Sequence, residues 1–207
     1  MTISLNQISK RYQSHWVFKG VNYDFEPGRQ YALLGANGSG KSTLLRIIGG
    51  MQHASKGQIS YTVNGQALAP EKIYTSVSYC APGMDLVEEM DLTEFLHFHF
   101  TFKRLLPSFS VSAVIEHMDL QAAAHKQLHE YSSGMKQRVK LAQAFFSDSP
   151  VLLLDEPCSN LDTKGVDMYQ QWLQTYGKDR LVIVASNDER EYEGVSATIS
   201  IEDYKRF

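Results

Sequence analysis

Residues 35–43 read Gly-Ala-Asn-Gly-Ser-Gly-Lys-Ser-Thr, and this stretch decides the fold. Its spacing is glycine, four residues, glycine, lysine, then serine or threonine, met by Gly35, Gly40, Lys41 and Ser42. The apolar run Tyr31-Ala32-Leu33-Leu34 precedes it and predicts a buried strand. Thr43-Leu44-Leu45-Arg46-Ile47-Ile48 follows and predicts a helix with an apolar face. Gly35, Gly38 and Gly40 free the backbone to wrap tightly, so that its N–H groups converge on phosphate oxygens at the positive end of the helix. Asn37, Ser39 and Thr43 belong to the same cradle. Lys41 supplies a point charge for the outer phosphates, and the Ser42 hydroxyl is a ligand for Mg²⁺. A chance glycine-rich turn would not also carry a strand and a helix on its two sides. The stretch is read as a nucleotide phosphate site.

Working outward, the N-terminal side is rich in strands. Residues 3–8 and 21–25 alternate apolar and polar side chains, as half-buried strands do, and Pro27-Gly28 turns the chain into the strand before the phosphate loop. Residues 57–65 predict a further strand and turn. After residues 77–79 the character changes, and residues 92–103, 111–118 and 121 onward predict successive helices. Residues 133–146 predict an amphipathic helix, with Val139, Ala142 and Phe146 at helical spacing. Residues 151–155, a helix over 163–176, and strands at 181–185 and 197–201 complete the pattern. Continuous apolar strands alternating with helices imply an α/β fold, a mainly parallel sheet covered on both faces. An antiparallel β part stands at its N-terminus, and a helical subdomain is inserted into it.

The bulk properties narrow the class. A chain of 207 residues with 43% hydrophobic residues buries a core of ordinary globular size. A net charge of -3 offers no basic field for nucleic acid. Cys80 and Cys158 are far apart, match no metal-ligand spacing and suit a reducing cytoplasm. The N-terminus lacks the apolar core of a signal peptide, and no apolar run is long enough to span a bilayer. After the last strand the reading expects no accessory domain.

Leu152-Leu153-Leu154 leads into Asp155-Glu156, which places two carboxylates at the C-terminal tip of a buried strand, the same end of the sheet as the phosphate loop. Asp155 is suited to Mg²⁺, and Glu156 to general-base work on the water that attacks a γ-phosphate. At this point the sequence resembles the ATP-binding cassette (ABC) family, the nucleotide-binding subunits of ABC transporters. Tyr131-Ser132-Ser133-Gly134-Met135-Lys136-Gln137-Arg138 resembles the family signature, and Ser159-Asn160-Leu161-Asp162 resembles its D-loop. The resemblance covers essentially the whole chain as one domain, with an α/β core over 1–82 and 133–207 and a helical subdomain over about 83–132.

It implies ATP and Mg²⁺ as cofactors, and two cassettes packed head to tail, as a homodimer or a heterodimer. Each ATP then lies between one phosphate loop and the other subunit's signature. Ser132 and the amides around Gly134 form a second helix N-terminus that can receive the γ-phosphate. It also implies a transmembrane permease subunit as partner and a peripheral place on the cytoplasmic face. Tyr12 fits the aromatic that stacks on adenine, with Trp16 and Phe18 as substitutes. The aromatic helix over 92–103 is expected either to wall a groove for a permease helix or to pack in the core. His97 and His99, with no third ligand in view, are read as surface or core histidines.

Four positions depart from the family pattern. Pro82 stands where a glutamine usually ends a strand and touches Mg²⁺, and proline offers neither a side-chain ligand nor an N–H. Asn187 takes the place of the switch histidine; it can hydrogen-bond a γ-phosphate but carries no charge. Ser133 and Met135 replace signature glycine and glutamine. The expectation is slow rather than absent ATP hydrolysis. A soluble cassette protein and a non-catalytic, ATP-gated regulator are the competing readings.

Overall fold

The computed structural model describes residues 1–205. In chain order its strands and helices are β1 (Thr2–Tyr12), β2 (His15–Phe25), β3 (Gln30–Leu34), α1 (Lys41–Ile48), β4 (Lys56–Val63), β5 (Gln66–Ala67), α2 (Ile73–Ser76), β6 (Val77–Cys80), α3 (Leu92–Phe102), α4 (Val111–His117), α5 (Ser133–Phe145), β7 (Val151–Asp155), α6 (Thr163–Tyr176), β8 (Leu181–Ala185) and β9 (Ala197–Ser200). Two sheets form. One is antiparallel, in the order β2-β1-β4-β5; the other is parallel throughout, in the order β6-β7-β8-β3-β9.

The parallel sheet explains the apolar runs. Along β7, Val151 and Leu153 face a core shared with α1 and the antiparallel sheet, while Leu152 and Leu154 face a second core shared with α5, α6 and the helical region. In β8, Leu181 and Ile183 take the first side and Val182 and Val184 the second. Both faces are dry, so alternation disappears from the sequence. In β1, by contrast, Ile3, Leu5 and Ile8 are buried while Thr2, Ser4, Asn6 and Gln7 are not, as befits a sheet covered on one face.

Helix starts are set by side-chain caps that satisfy orphan N–H groups. Asp91 caps α3 and exchanges hydrogen bonds with Glu94 in a capping box; Ser110, Ser132 and Asp162 cap α4, α5 and α6. The expected helix from residue 121 onward is not formed. That stretch makes two single 3₁₀ turns, Gln121–Ala123 and Leu128–Glu130, because its backbone bonds leave the helix: the Leu128 and His129 amides donate to Met90 and Glu88 carbonyls. The short β5 and α2 had no counterpart in the sequence reading. Among the described residues no helix is long and apolar enough to cross a membrane.

Candidate nucleotide site

The loop from β3 to α1 takes the wrap its glycines allow. Gly35, Gly38 and Gly40 have φ of 145°, 75° and 109°, and Gly40 is the N-cap of α1. A Cβ on Gly40 would lie 2.5 Å from Val17 Cγ1, so β2 supports the loop from beneath and leaves no room for a side chain. The Ser39 hydroxyl is buried with no hydrogen-bond partner. Lys41 is 4% exposed, and its ammonium donates to the carbonyls of Gly35 at 2.7 Å and Ala36 at 3.4 Å. Its charge is thus folded back over the mouth of the loop, and α1 ends in Arg46 with no acid in its first turn.

Two further strands deliver side chains to this loop. β7 carries Asp155 to the sheet end, where the Ser42 hydroxyl donates to Asp155 Oδ1 at 2.9 Å. Burial pushes the Asp155 carboxyl above its ordinary value, opposed by the Ser42 hydrogen bond and the nearby Arg46 and Lys41 charges. Glu156, next in the chain, is exposed and has φ of 43°, a left-handed conformation that a non-glycine residue adopts under constraint. β8 carries Asn187, whose amide donates to Asn37 Oδ1 at 2.8 Å and so bridges the phosphate loop to the residue after the strand. Gly35, Asn37, Gly38, Ser39, Gly40, Lys41, Ser42, Thr43, Asp155, Glu156 and Asn187 all stand at this one end of the parallel sheet.

Tyr12 ends β1 and is 48% exposed. Its hydroxyl accepts from Gln52 at 2.6 Å and meets Thr43 on the first turn of α1; these contacts, Gln52 foremost, hold its pKa below the ordinary tyrosine value. Phe18, a substitute for the stacking role, is wholly buried under Gly40 and presents no free ring face. Trp16 lies among the cations of Arg11, Lys19 and Lys56 at 4.8–5.6 Å from its ring.

Ser132 and Gly134 stand elsewhere. They line a hollow of about 550 Å³ with Asn160, Asp162 and Arg138, and no phosphate-loop residue joins its lining. A Cβ on Gly134 would lie 2.9 Å from the Asn160 carbonyl, so the signature glycine is fixed by the D-loop packed on it. Arg138 locks the two together by an ion pair with Asp162 at 3.0 Å. Pro82, after β6, makes no side-chain hydrogen bond, but its carbonyl accepts from Lys140 on α5.

None of the phenylalanines of α3 lines the cavity beside that helix. A cavity of about 880 Å³ lies between the antiparallel sheet and the helices, lined by Met51, Tyr61, Tyr74, Tyr79 and Met84; from the α3 side it takes His99 and Lys103. Phe95 packs in the core, and Phe98 and Phe102 are exposed at 44% and 63%. His99 is a core-edge histidine bonded to Ser147 Oγ at 3.1 Å. No group of three potential metal-binding residues forms among the described residues. Sequence reasoning missed Tyr79, whose hydroxyl lies 3.5 Å from Asp155 Oδ2, and Gln137 and Glu191, which hold the turn after Glu156. Tyr79 and Glu191 carry no local motif, and Gln137 was read only as part of the signature stretch, with no role of its own.

The family model of the ABC transporter matches residues 18–159. The chain is 30% identical to the uncharacterised ABC transporter ATP-binding protein YybJ of Bacillus subtilis, over 91% of this chain and 86% of that one. It is 31% identical to the cytochrome c biogenesis ATP-binding export protein CcmA of Xylella fastidiosa, over 75% of this chain and 72% of that one. A dimeric ATP-binding cassette solved in a post-hydrolysis state with ADP and phosphate superposes with a TM-score of 0.81 at 22% identity, over 96% of this chain and 93% of that one, and so shares its fold. The chain belongs to the ABC transporter family and is one of its ATP-binding cassettes.

Proposed function

We propose that the chain powers a membrane transporter by binding Mg-ATP between two cassettes and hydrolysing it with Glu156 as general base. The observation that carries this is the 2.9 Å bond from Ser42 to Asp155, which joins the phosphate loop to the strand-end carboxylates. A hydroxyl, a carboxylate and an unpaired, buried Ser39 hydroxyl form an oxygen-rich set that fits a hard divalent cation and phosphate oxygens. Ser42 and Asp155 would hold Mg²⁺, which on binding offsets phosphate charge. Lys41 exchanges its loop carbonyls for phosphate oxygens, and the loop amides do the rest of the anchoring. Tyr12 stacks on the base.

Asn187 parts from Asn37 to donate to the γ-phosphate, and Glu156 takes a proton from the attacking water. Ser132 and Gly134, lying apart from the phosphate loop, act on the nucleotide of a second cassette, so one chain holds two half-sites. With Pro82 and Asn187 in place of a glutamine and a histidine, turnover is slow. The groove lined by Tyr74 and Met84 receives a helix of a permease, which holds the chain on the cytoplasmic face of the membrane.

The test is Mg-ATP hydrolysis by the purified chain across a range of protein concentrations, with Glu156→Gln beside it. Activity per subunit that rises with concentration and disappears in Glu156→Gln is the expected result. Folded, ATP-binding protein with no hydrolysis at any concentration, alone or with its permease, would overturn it.

A further inference from the structure

We propose that Glu191 is a positioning residue for ATP hydrolysis: its buried side chain ties the turn that carries Glu156 to the segment that carries Asn187. The inference rests on the roles given above to those two residues, and it starts from backbone strain.

Glu156 is a non-glycine residue at φ 43°. Such a conformation is strained and persists only where neighbours over-determine it. Its neighbours do so on both sides. The Glu156 amide donates to the Ala185 carbonyl on β8 at 2.9 Å. The Pro157 carbonyl accepts from Gln137, a buried side chain of α5, at 2.8 Å. The Cys158 amide then donates to Glu191 Oε1 at 2.7 Å. Two buried side chains from distant segments therefore clamp a single peptide, Pro157–Cys158, from both sides, one residue past Glu156.

Glu191 is itself held in place. It is 4% exposed, and its carbonyl accepts from the Tyr169 hydroxyl at 2.5 Å, from a tyrosine that is wholly buried in α6. Its own amide closes a turn on the Asp188 carbonyl, one residue past Asn187. Burial raises the carboxyl pKa, while the Ser186 hydroxyl and the Cys158 amide pull it down. Ser186 immediately precedes Asn187. Glu191 thus holds the turn after Glu156 through its side chain and the turn after Asn187 through its backbone.

As a device for stability this residue is a poor choice. A carboxylate away from water is costly, and Glu191 Oε2 has no hydrogen-bond partner at all. An apolar residue of similar volume would suit the surrounding core, which includes Tyr169 and Leu154, at no such cost. What the carboxylate supplies, and an apolar side chain cannot, is an acceptor aimed at the Cys158 amide. Glu191 is buried and bonded to the backbone that follows Glu156, so it acts through Glu156 and Asn187.

Three variants test the idea: Glu191→Ala, Glu191→Asp and Glu191→Gln. Each is assayed for ATP turnover, for the KM for ATP, for affinity of a fluorescent ATP analogue and for thermal unfolding. The alanine variant loses the clamp, and its kcat is expected to fall about ten- to hundredfold, the scale of a roughly 1 Å misplacement of a catalytic group. KM and analogue affinity stay within about threefold, because the phosphate loop is untouched. Glutamine keeps an acceptor of the same length and is expected to restore kcat to within about threefold of the parent.

If the alanine variant does not fold, the aspartate variant decides. It keeps the charge but withdraws the acceptor by one methylene, and the same fall in kcat at unchanged KM is expected. A lowered unfolding temperature with parental kcat would overturn the proposal, as would a glutamine variant as slow as the alanine one. Failure of the underlying reading is distinguishable, since Glu156→Gln would then be as active as the parent whatever Glu191 does.

Discussion

Gly40→Ala is the perturbation whose cost the geometry defines best. Gly40 has φ 109° and ψ 9°, and a Cβ there would stand 2.5 Å from Val17 Cγ1 and 3.2 Å from Phe18 Cδ1. Two penalties add. Left-handed backbone costs an L residue about 1–2 kcal/mol, and a φ this far past the ordinary left-handed basin takes the upper end. Forcing a methyl into a filled site costs a further ~1–3 kcal/mol as Val17 and Phe18 shift. The sum, about 3–5 kcal/mol, is a large part of the ~5–15 kcal/mol that holds a domain together. Urea unfolding followed by the fluorescence of Trp16 and Trp172 measures it.

The two terms separate with Val17→Ala, which deletes the atom nearest the new methyl. The double variant is expected to lose about 1–3 kcal/mol less than the sum of the single losses, while the backbone penalty stays. Strict additivity would refute the steric half of the argument. A Gly40→Ala variant as stable as the parent would refute both halves.

His99 makes acid stability titrate. Burial pushes its pKa from 6.5 down to about 4, so between those values the unfolded chain binds a proton that the folded chain refuses. Stability is then full above about pH 6.5 and declines toward pH 4, by at most about 3 kcal/mol; denaturation midpoints across that window should flatten in His99→Gln. Arg180 is 7% exposed and donates to the buried carbonyls of Phe145 and Ser147. Arg180→Met strands both acceptors and should cost about 2–4 kcal/mol in chemical denaturation. Asn187 is exposed, so Asn187→Ala should leave the unfolding midpoint within about 0.5 kcal/mol of the parent while slowing ATP turnover. Asn187→His should give turnover that changes with protonation near pH 6.5, a step that asparagine cannot produce.

The parts of the fold that were legible in the sequence are those whose local pattern and tertiary role agree. β7 up to Leu154 and β8 throughout are apolar because both their faces are dry, and α6 begins where Asp162 can cap it. The phosphate loop was legible because its glycines answer a backbone demand at φ of 75–145°. The stretch after residue 120 misled for the opposite reason. Its composition permits a helix, but the amides of Leu128 and His129 find better acceptors across the subdomain, at Met90 and Glu88. β5, only two residues long, exists through its pairing with β4 and has no pattern of its own. The phenylalanines of α3 suggested a groove wall; the wall came instead from tyrosines on β4, α2 and β6, which only the folded chain brings together.

The same distinction runs through the site. Ser42 and Asp155 are 113 residues apart, yet each sits in a motif whose chemistry names it, so their meeting could be expected. Asn37 and Asn187 are 150 apart and meet because β3 and β8 are neighbours in the sheet, an order that follows from crossover topology. Glu191 has no motif at all. It earns its place through a peptide 33 residues away whose geometry is itself unusual, and only the strained φ of Glu156 shows that something must hold that peptide. Residues that touch substrate are constrained by chemistry, which sequence spacing records. Residues that hold those residues in place are constrained by packing and backbone geometry, which spacing does not. The replacements at Pro82 and Asn187 fall between these two kinds, since the first removes a side-chain ligand and the second a positive charge while the backbone stays in place: Pro82 still offers its carbonyl to Lys140, and Asn187 still bridges to the phosphate loop. On the proposed mechanism a cassette altered in this way keeps its shape and its general base, and its deficit lies in rate.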